Sequence, residues 1–199
     1  MITSWTDERR TLLANARVGI AGAGGLGSTC ALALARAGVG GLVLVDFDVV
    51  ERSNLNRQAY TLAQVGRPKL HALAENINAC APECRLRLLE RRYEAGMAAE
   101  LFAGCQVVVE AFDTPEAKVA LLEDLLEHLP QVPVVAGSGI AGIGGNNALD
   151  TRRFGRLYVV GDGATAAGPG VPLLGPRVMA AACLQANQAL ALLLGDTDV

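Results

Sequence analysis

With 199 residues, 51% of them hydrophobic and only 4% aromatic, the sequence can bury one sizeable α/β core of Val, Leu, Ile and Ala. Its formal net charge of −3 at pH 7 argues against nucleic acid as a bulk partner. The opening MITSWTDERR lacks the apolar core of a secretion signal, and the apolar stretch near 178–194 is interrupted by Gln185, Asn187 and Gln188, so no leader, no membrane span and a cytoplasmic location are expected.

Residues 6–16 read as a helix, capped by Thr6 or Asp7, with Arg9 and Arg10 on a solvated face. A short apolar strand around Val18, Ile20 and Ala21 follows. Gly22, Gly24 and Gly27 then fit G-x-G-x-x-G, with Gly25 inside the same turn. Residues 28–37 read as a helix closed by Gly38, residues 42–45 as a second strand, and Asp46 stands at its end. This strand–turn–helix–strand–acid unit predicts nucleotide binding. The glycines let backbone approach a phosphate, the helix start offers free N–H groups, and the acid suits ribose hydroxyls.

Residues 51–64 are polar and irregular, and Gly66-Arg67-Pro68-Lys69 opens a helix reaching Ala79. Strands are expected at 84–89, 106–111 and 132–136, with helices at 98–102 and 115–129 between them. Asp113 follows the strand QVVVEA. A glycine-rich run occupies 137–146. Residues 148–154 and 156–160 alternate as a hairpin does, 161–176 read as a mobile loop, and 176–194 as a last helix. The expected fold is a three-layer Rossmann-like α/β domain over 1–199, its sheet parallel in the first half and mixed in the second. It divides into an N-terminal helix (1–16), a nucleotide-binding half (17–136) and a second half (137–199).

Cys30, Cys80, Cys84, Cys105 and Cys183 are scattered, and Cys80 and Cys84 have no second pair to complete a four-thiolate site. Reduced thiols and no zinc are expected, with Cys183 buried in its helix. His71 and His128 read as surface positions. Asp48 could face the ligand or brace its loop. Asn146, Arg153 and Asp162 suit either the path of a bound chain end or ordinary turns, and Arg177 suits an ion pair or cap.

The strand ends gather Asp46, Asp48 and Asp113, with Asn54, Arg57 and Gln58 in the loop after the second strand and Lys69 at the next helix. Hydride transfer needs a nicotinamide slot rather than two cations beside a carboxylate. Arg and Lys neutralise triphosphate oxygens, and Asp113 can hold Mg²⁺. G-x-x-x-x-G-K-[ST] is missing, which excludes a P-loop enzyme.

In these residues the chain resembles the ThiF/MoeB/HesA family, bacterial relatives of ubiquitin-activating enzymes. The resemblance is carried by GAGGLGS (22–28), LVDFDVV (44–50), SNLNRQ (53–58), GRPK (66–69) and Asp113. AFDTPEAK (111–118) and GDG, PG, GPRV and QAN (161–187) are similar to its short ThiF branch. That branch implies ATP-dependent adenylylation of the C-terminal Gly-Gly carboxylate of a small β-grasp sulfur carrier (ThiS-like) in thiamine thiazole synthesis, with a separate sulfur donor protein. By matching motif, Asp46 binds the ribose. Asn54, Arg57, Gln58 and Lys69 bind the phosphates, Asp113 coordinates Mg²⁺, and residues 137–199 bind the carrier. The resemblance also implies a homodimer, although Arg9 and Arg10 lie too near Gly22 to serve as the arginine that longer members lend a neighbouring subunit. With no cysteine between Cys105 and Cys183, no covalent relay on the 161–176 loop is expected. The same fold could instead activate a molybdopterin-synthase carrier or a tRNA-linked carboxylate, bind NAD as an oxidoreductase, or hold a carrier without catalysis.

Overall fold

Runs such as VVV and LVLV carry no polar interruption, so their strands must be covered on both faces. A computed structural model describes residues 6–196; residues 1–5 and 197–199, the outer ends of the expected domain, lie outside that range. The strands are β1 (Arg17–Ala21), β2 (Gly41–Asp46), β3 (Arg85–Glu90), β4 (Val107–Glu110), β5 (Val134–Gly137), β6 (Asp150–Phe154) and β7 (Leu157–Gly161). They form one seven-stranded sheet in the order β3-β2-β1-β4-β5-β7-β6. Every neighbouring pair is parallel except β6 with β7, the outer hairpin. The sheet is therefore the mixed, Rossmann-like one the sequence predicts.

The helices are α1 (Asp7–Asn15), α2 (Gly25–Arg36), α3 (Lys69–Asn78), α4 (Ala98–Phe102), α5 (Pro115–His128) and α6 (Gly175–Leu194). Strand alternation sorts the core into two layers. Val18, Ile20, Leu42, Leu44, Val107 and Val109 join the cluster of α1, α2, α3 and α6. Ala21, Val43, Val45 and Val108 join that of α4 and α5. α6 is long and apolar enough to cross a membrane by composition, yet here one face packs against α2 and the sheet.

Two boundaries, one cap and one burial stand out against expectation. α2 starts at Gly25, not residue 28, because the glycines that suggest a turn also form its first helical turn. β5 starts at Val134, since Pro133 has no N–H to give the ladder. Thr6 occupies the cap position of α1 without a side-chain cap hydrogen bond. Cys183 is exposed rather than buried. Met179, Cys183 and Asn187 form an outward stripe four residues apart, while Val178, Ala182 and Gln185 are buried.

In the middle of β1, Gly19 leaves space for Phe102. A Cβ at Gly19 would lie 2.4 Å from the Phe102 ring, whose side chain is fully buried. Gly19→Ala is expected to cost about 1–3 kcal/mol in urea denaturation by overpacking. Adding Phe102→Leu should recover part of that loss, and an unchanged midpoint for Gly19→Ala would contradict this account.

Candidate active site

β1 sits at the point where the strand order reverses, with β2 on one side and β4 on the other. In open α/β sheets, the crevice beyond the carboxyl ends of such strands is where ligands bind. The glycines leaving β1 lack side chains for different reasons. Gly22 has φ of +100°, and a Cβ there would lie 2.7 Å from the Ala111 carbonyl oxygen. A Cβ at Gly27 would lie 1.8 Å from the Gly22 carbonyl oxygen, and one at Gly25 2.8 Å from Val178. These three are required by the protein's own contacts. Gly24 is different: its nearest neighbour to a Cβ would be Gln58 Nε2, at 3.9 Å. Its bare backbone faces open space at the start of α2, where unpaired N–H groups and the positive dipole end favour an anion.

The loop after β2 is stitched to this turn. Asp46 is 8% exposed; its Oδ2 accepts the Ala23 N–H at 2.6 Å and its Oδ1 accepts the Asp48 N–H at 2.8 Å. Each carboxylate oxygen keeps lone-pair capacity for a ribose hydroxyl. Ser28 Oγ donates to the Gly24 carbonyl at 2.6 Å and accepts the Ala59 N–H at 3.1 Å. Tyr60 donates its hydroxyl to the Ala23 carbonyl at 2.7 Å. Burial first, then the charges of Asp46 and Asp48, raise the Tyr60 pKa, so it remains a donor.

Asp48 braces its loop: its Oδ2 lies 2.6 Å from Lys69 Nζ, and its carbonyl accepts the Lys69 N–H at 2.9 Å. Lys69 is buried at the start of α3. Asn54 is buried and uses Oδ1 to accept the Glu51 N–H at 3.0 Å. Arg57 donates to the Ser53 carbonyl at 3.1 Å and to Asn56 Oδ1 at 2.8 Å, with its Cγ 3.7 Å from where a Gly25 Cβ would be. Gln58 is 6% exposed, and its buried Oε1 has no partner among the described residues. The Gln58 amide nitrogen, 3.9 Å from where a Gly24 Cβ would stand, is the atom on this open face, and a donor there suits an anionic oxygen.

Asp113 is exposed in the turn between β4 and α5. The preceding Phe112 ring lies 3.3 Å from where a Gly22 Cβ would stand, so this turn rests on the glycine turn. Sequence reasoning missed what holds it. Glu110 is fully buried; its Oε1 accepts the Phe112 N–H at 2.8 Å, and Lys118 donates to its Oε2. Gln185 Nε2 donates to the Glu110 carbonyl at 3.1 Å and to that of Val135 at 3.3 Å. The signal was present, because an acid inside QVVVEA must find a cation when buried.

Asp113 also passes the chemical test for Mg²⁺, which takes one or two carboxylates together with substrate phosphate oxygens. No cluster of three or more His, Cys, Asp or Glu that could hold a metal exists among the described residues.

Other candidates lie elsewhere. Arg9 pairs with Asp196 at 2.9 Å and Arg10 with Asp7 at 3.4 Å. Their helix runs under the amino ends of the strands, where the Leu13 carbonyl accepts the Gly40 N–H, so both are remote from the site in their own chain. Asp162 serves a turn: it accepts the N–H groups of Ala164 and Thr165 at 2.8 and 2.7 Å and pairs with Arg177 at 2.6 Å. The Thr165 hydroxyl, those two N–H groups and Arg177 hold its carboxyl well below the usual range. The start of the 161–176 loop is thereby tied to α6. Asn146 begins a short 3₁₀ turn, and Arg153 stacks over Tyr158 in the hairpin. His71 and His128 are exposed and pair with Glu90 and Asp124.

The ThiF family profile matches residues 1–199. The chain is 36% identical over 144 residues to a tRNA threonylcarbamoyladenosine dehydratase of Bacillus subtilis, covering 71% of this chain and 54% of that protein. It is 37% identical over 129 residues to the adenylyltransferase and sulfurtransferase UBA4 of Eremothecium gossypii, covering 64% of this chain and 29% of that protein. The matched region thus spans about half, or less, of these relatives' length. The crystal structure of Escherichia coli tRNA N6-threonylcarbamoyladenosine dehydratase in complex with ATP shares the fold, with a TM-score of 0.85, 24% identity, and coverage of 96% of this chain and 91% of that one.

The contrast among the glycines is testable. Gly24→Ala should keep a thermal midpoint close to that of the unaltered chain and lose about tenfold or more in nucleotide affinity by calorimetry, because only a ligand needs that space. Gly27→Ala should instead fail to fold or melt far lower. Unchanged nucleotide affinity in Gly24→Ala would refute the assignment of this turn.

Proposed function

We propose that this chain, which belongs to the ThiF family, activates a carboxylate by joining it to the adenylyl group of ATP. The observation that carries the reading is the convergence on one sheet edge of Gly24 at the open start of α2, Asp46, Gln58 with its amide nitrogen toward Gly24, Arg57, Lys69 and Asp113. Two cations, a helix N-terminus and a carboxylate suit a triphosphate whose charge must be neutralised as pyrophosphate leaves.

In the proposed reaction, a carboxylate oxygen attacks the α-phosphorus and the bond to the bridging oxygen of the β-phosphate breaks. Pyrophosphate departs with that electron pair, leaving an acyl-adenylate. No general base is required, because the carboxylate is already ionised near pH 7. Asp46 holds the ribose hydroxyls, and the α2 N–H groups with Asn54 and Gln58 hold phosphate oxygens. Arg57 and Lys69 offset the charge developing on the leaving group, with Asp48 fixing where Lys69 points. Asp113 would hold Mg²⁺, which when bound supplies further neutralisation of phosphate charge. The protein's contribution is alignment and preorganised charge.

We take the acceptor to be the C-terminal Gly-Gly of a small β-grasp sulfur carrier of the ThiS kind, bound by residues 137–199. A separate sulfur donor would then convert the adenylate to a thiocarboxylate in thiamine thiazole synthesis. Support comes from the motifs of the short ThiF branch and from a relative named as an adenylyltransferase and sulfurtransferase. A cytoplasmic homodimer completes this reading. The match to a tRNA threonylcarbamoyladenosine dehydratase over 71% of the chain favours a second reading. In it the same ATP chemistry acts on a carboxylate carried by tRNA.

ATP–pyrophosphate exchange separates these possibilities. Exchange dependent on a carrier ending in Gly-Gly is expected. It should fall about 10²–10³-fold in Asp113→Ala, Arg57→Ala or Lys69→Ala, the usual effect of removing one preorganised charge partner. Turnover of ATP only with threonylcarbamoyladenosine-bearing tRNA would replace the carrier by tRNA. Inactivity with both acceptors would overturn adenylation.

A further inference from the structure

We infer that the buried Glu110–Lys118 pair is a positioning device that sets Asp113 against the phosphate turn. The inference rests on reading Asp113 as the carboxylate that meets the metal–nucleotide. Glu110 is the last residue of β4, and its side chain has no solvent exposure. An ionised carboxylate in such a place is tolerated only when paired and hydrogen-bonded. Burial pushes its proton affinity up and Lys118 pulls it down. Its bonds reach both backbone and side chains around the site. Its Oε1 accepts the N–H of Phe112, next to Asp113. Its Oε2 accepts from Lys118, in the first turns of α5, and the same ammonium donates to the Gly137 carbonyl at 3.0 Å, at the end of β5. Its own carbonyl accepts from Gln185 of α6.

Two charged side chains therefore tie together the end of β4, the start of α5 and the end of β5. Asp113 lies on the short turn between the first two. That turn also abuts the glycine turn, through Ala111 and Phe112 against Gly22. Asp113 is exposed and has no ion-pair partner among the described residues, so its place is set by its backbone. A plain structural pair would need only to neutralise Glu110. This one holds both sides of the turn, and Lys118 reaches it with its side chain 28% exposed.

The test compares Lys118→Arg with the double variant Glu110→Gln, Lys118→Met, which keeps an acceptor for the Phe112 N–H and leaves no buried charge alone. Mn²⁺ affinity is measured by electron paramagnetic resonance in the presence of a non-hydrolysable ATP analogue. Metal-free analogue binding is measured by calorimetry, alongside thermal midpoints. The double variant should bind the metal-free analogue as the unaltered chain does and lose about 10–100-fold in Mn²⁺ affinity, the usual effect of removing a partner that orients a ligand. Exchange activity should fall in parallel, with Lys118→Arg restoring most of both. Unchanged Mn²⁺ affinity in a folded double variant, with Asp113→Ala still losing it, would overturn the positioning role alone. Unchanged Mn²⁺ affinity in Asp113→Ala would overturn the reading of Asp113 and the inference with it. Should the double variant not fold, Glu110→Gln alone carries the same measurements and the same outcomes.

Discussion

A contact that no side chain could survive governs this edge of the sheet: the α-carbon of Gly27 lies against the carbonyl of Gly22, where a methyl group would sit 1.8 Å from oxygen. It brings the first turn of α2 down onto the end of β1. Once α2 is seated there, its amino end points across the reversal in strand order, and Gly24 is left bare toward the crevice. The neighbouring elements then have little freedom. Ala111 touches both Gly22 and Gly27, and Val178 of α6 closes on Gly25. The ends of β1, β4, α2 and α6 are thus packed through positions where one added carbon is excluded. Protein interiors at this density transmit small displacements instead of absorbing them.

Polar groups then fill the edge in a consistent way. The buried acids are engaged chiefly with backbone N–H groups or cations: Asp46 with the N–H groups of Ala23 and Asp48, Glu110 with that of Phe112 and with Lys118. Among the described residues, Asp113 on the exposed turn and Asp46, whose oxygens each accept a single N–H, hold capacity in reserve. Lys69 is the instructive intermediate. Its ammonium is buried against Asp48, whose own side chain is 43% exposed. A lysine held this way loses little further side-chain freedom when a phosphate arrives, which is the advantage of preorganisation.

Local patterns made part of this legible in the sequence. The glycine spacing, Asp46 closing a Val/Leu run and Asp113 following QVVVEA each need only a few neighbouring residues, and the structure places all of them at one edge. The alternating segments at 148–160 likewise form the antiparallel hairpin. Three-dimensional closure hid the rest. Glu110 meets Gln185 across 75 residues, and Arg177 meets Asp162 from another element, so neither pair has a spacing to read. The face of Cys183 was lost for another reason. α6 carries alanines on its exposed side as well as its buried one, Ala180 as well as Ala181, so apolarity does not mark which stripe faces the sheet. The start of α2 was misplaced because intrinsic propensity disfavours glycine in helices, whereas packing at Gly25 and Gly27 requires it.

The exposure of Cys183 bears on the proposed chemistry. An exposed thiol on the helix that begins beside the glycine turn is a candidate to intercept an acyl-adenylate. Geometry removes it. Val178 is the α6 residue in contact with the turn, and Cys183 lies five positions further along the helix, about 7.5 Å along the axis at 1.5 Å per residue. It also belongs to the outward stripe, whereas Val178, Ala182 and Gln185 face inward. The buried Cys30 is no substitute, because burial pushes its thiol far above the range in which a thiolate forms. Among the described residues the proposed acyl-adenylate therefore meets no thiol from α6 or from Cys30 at the site.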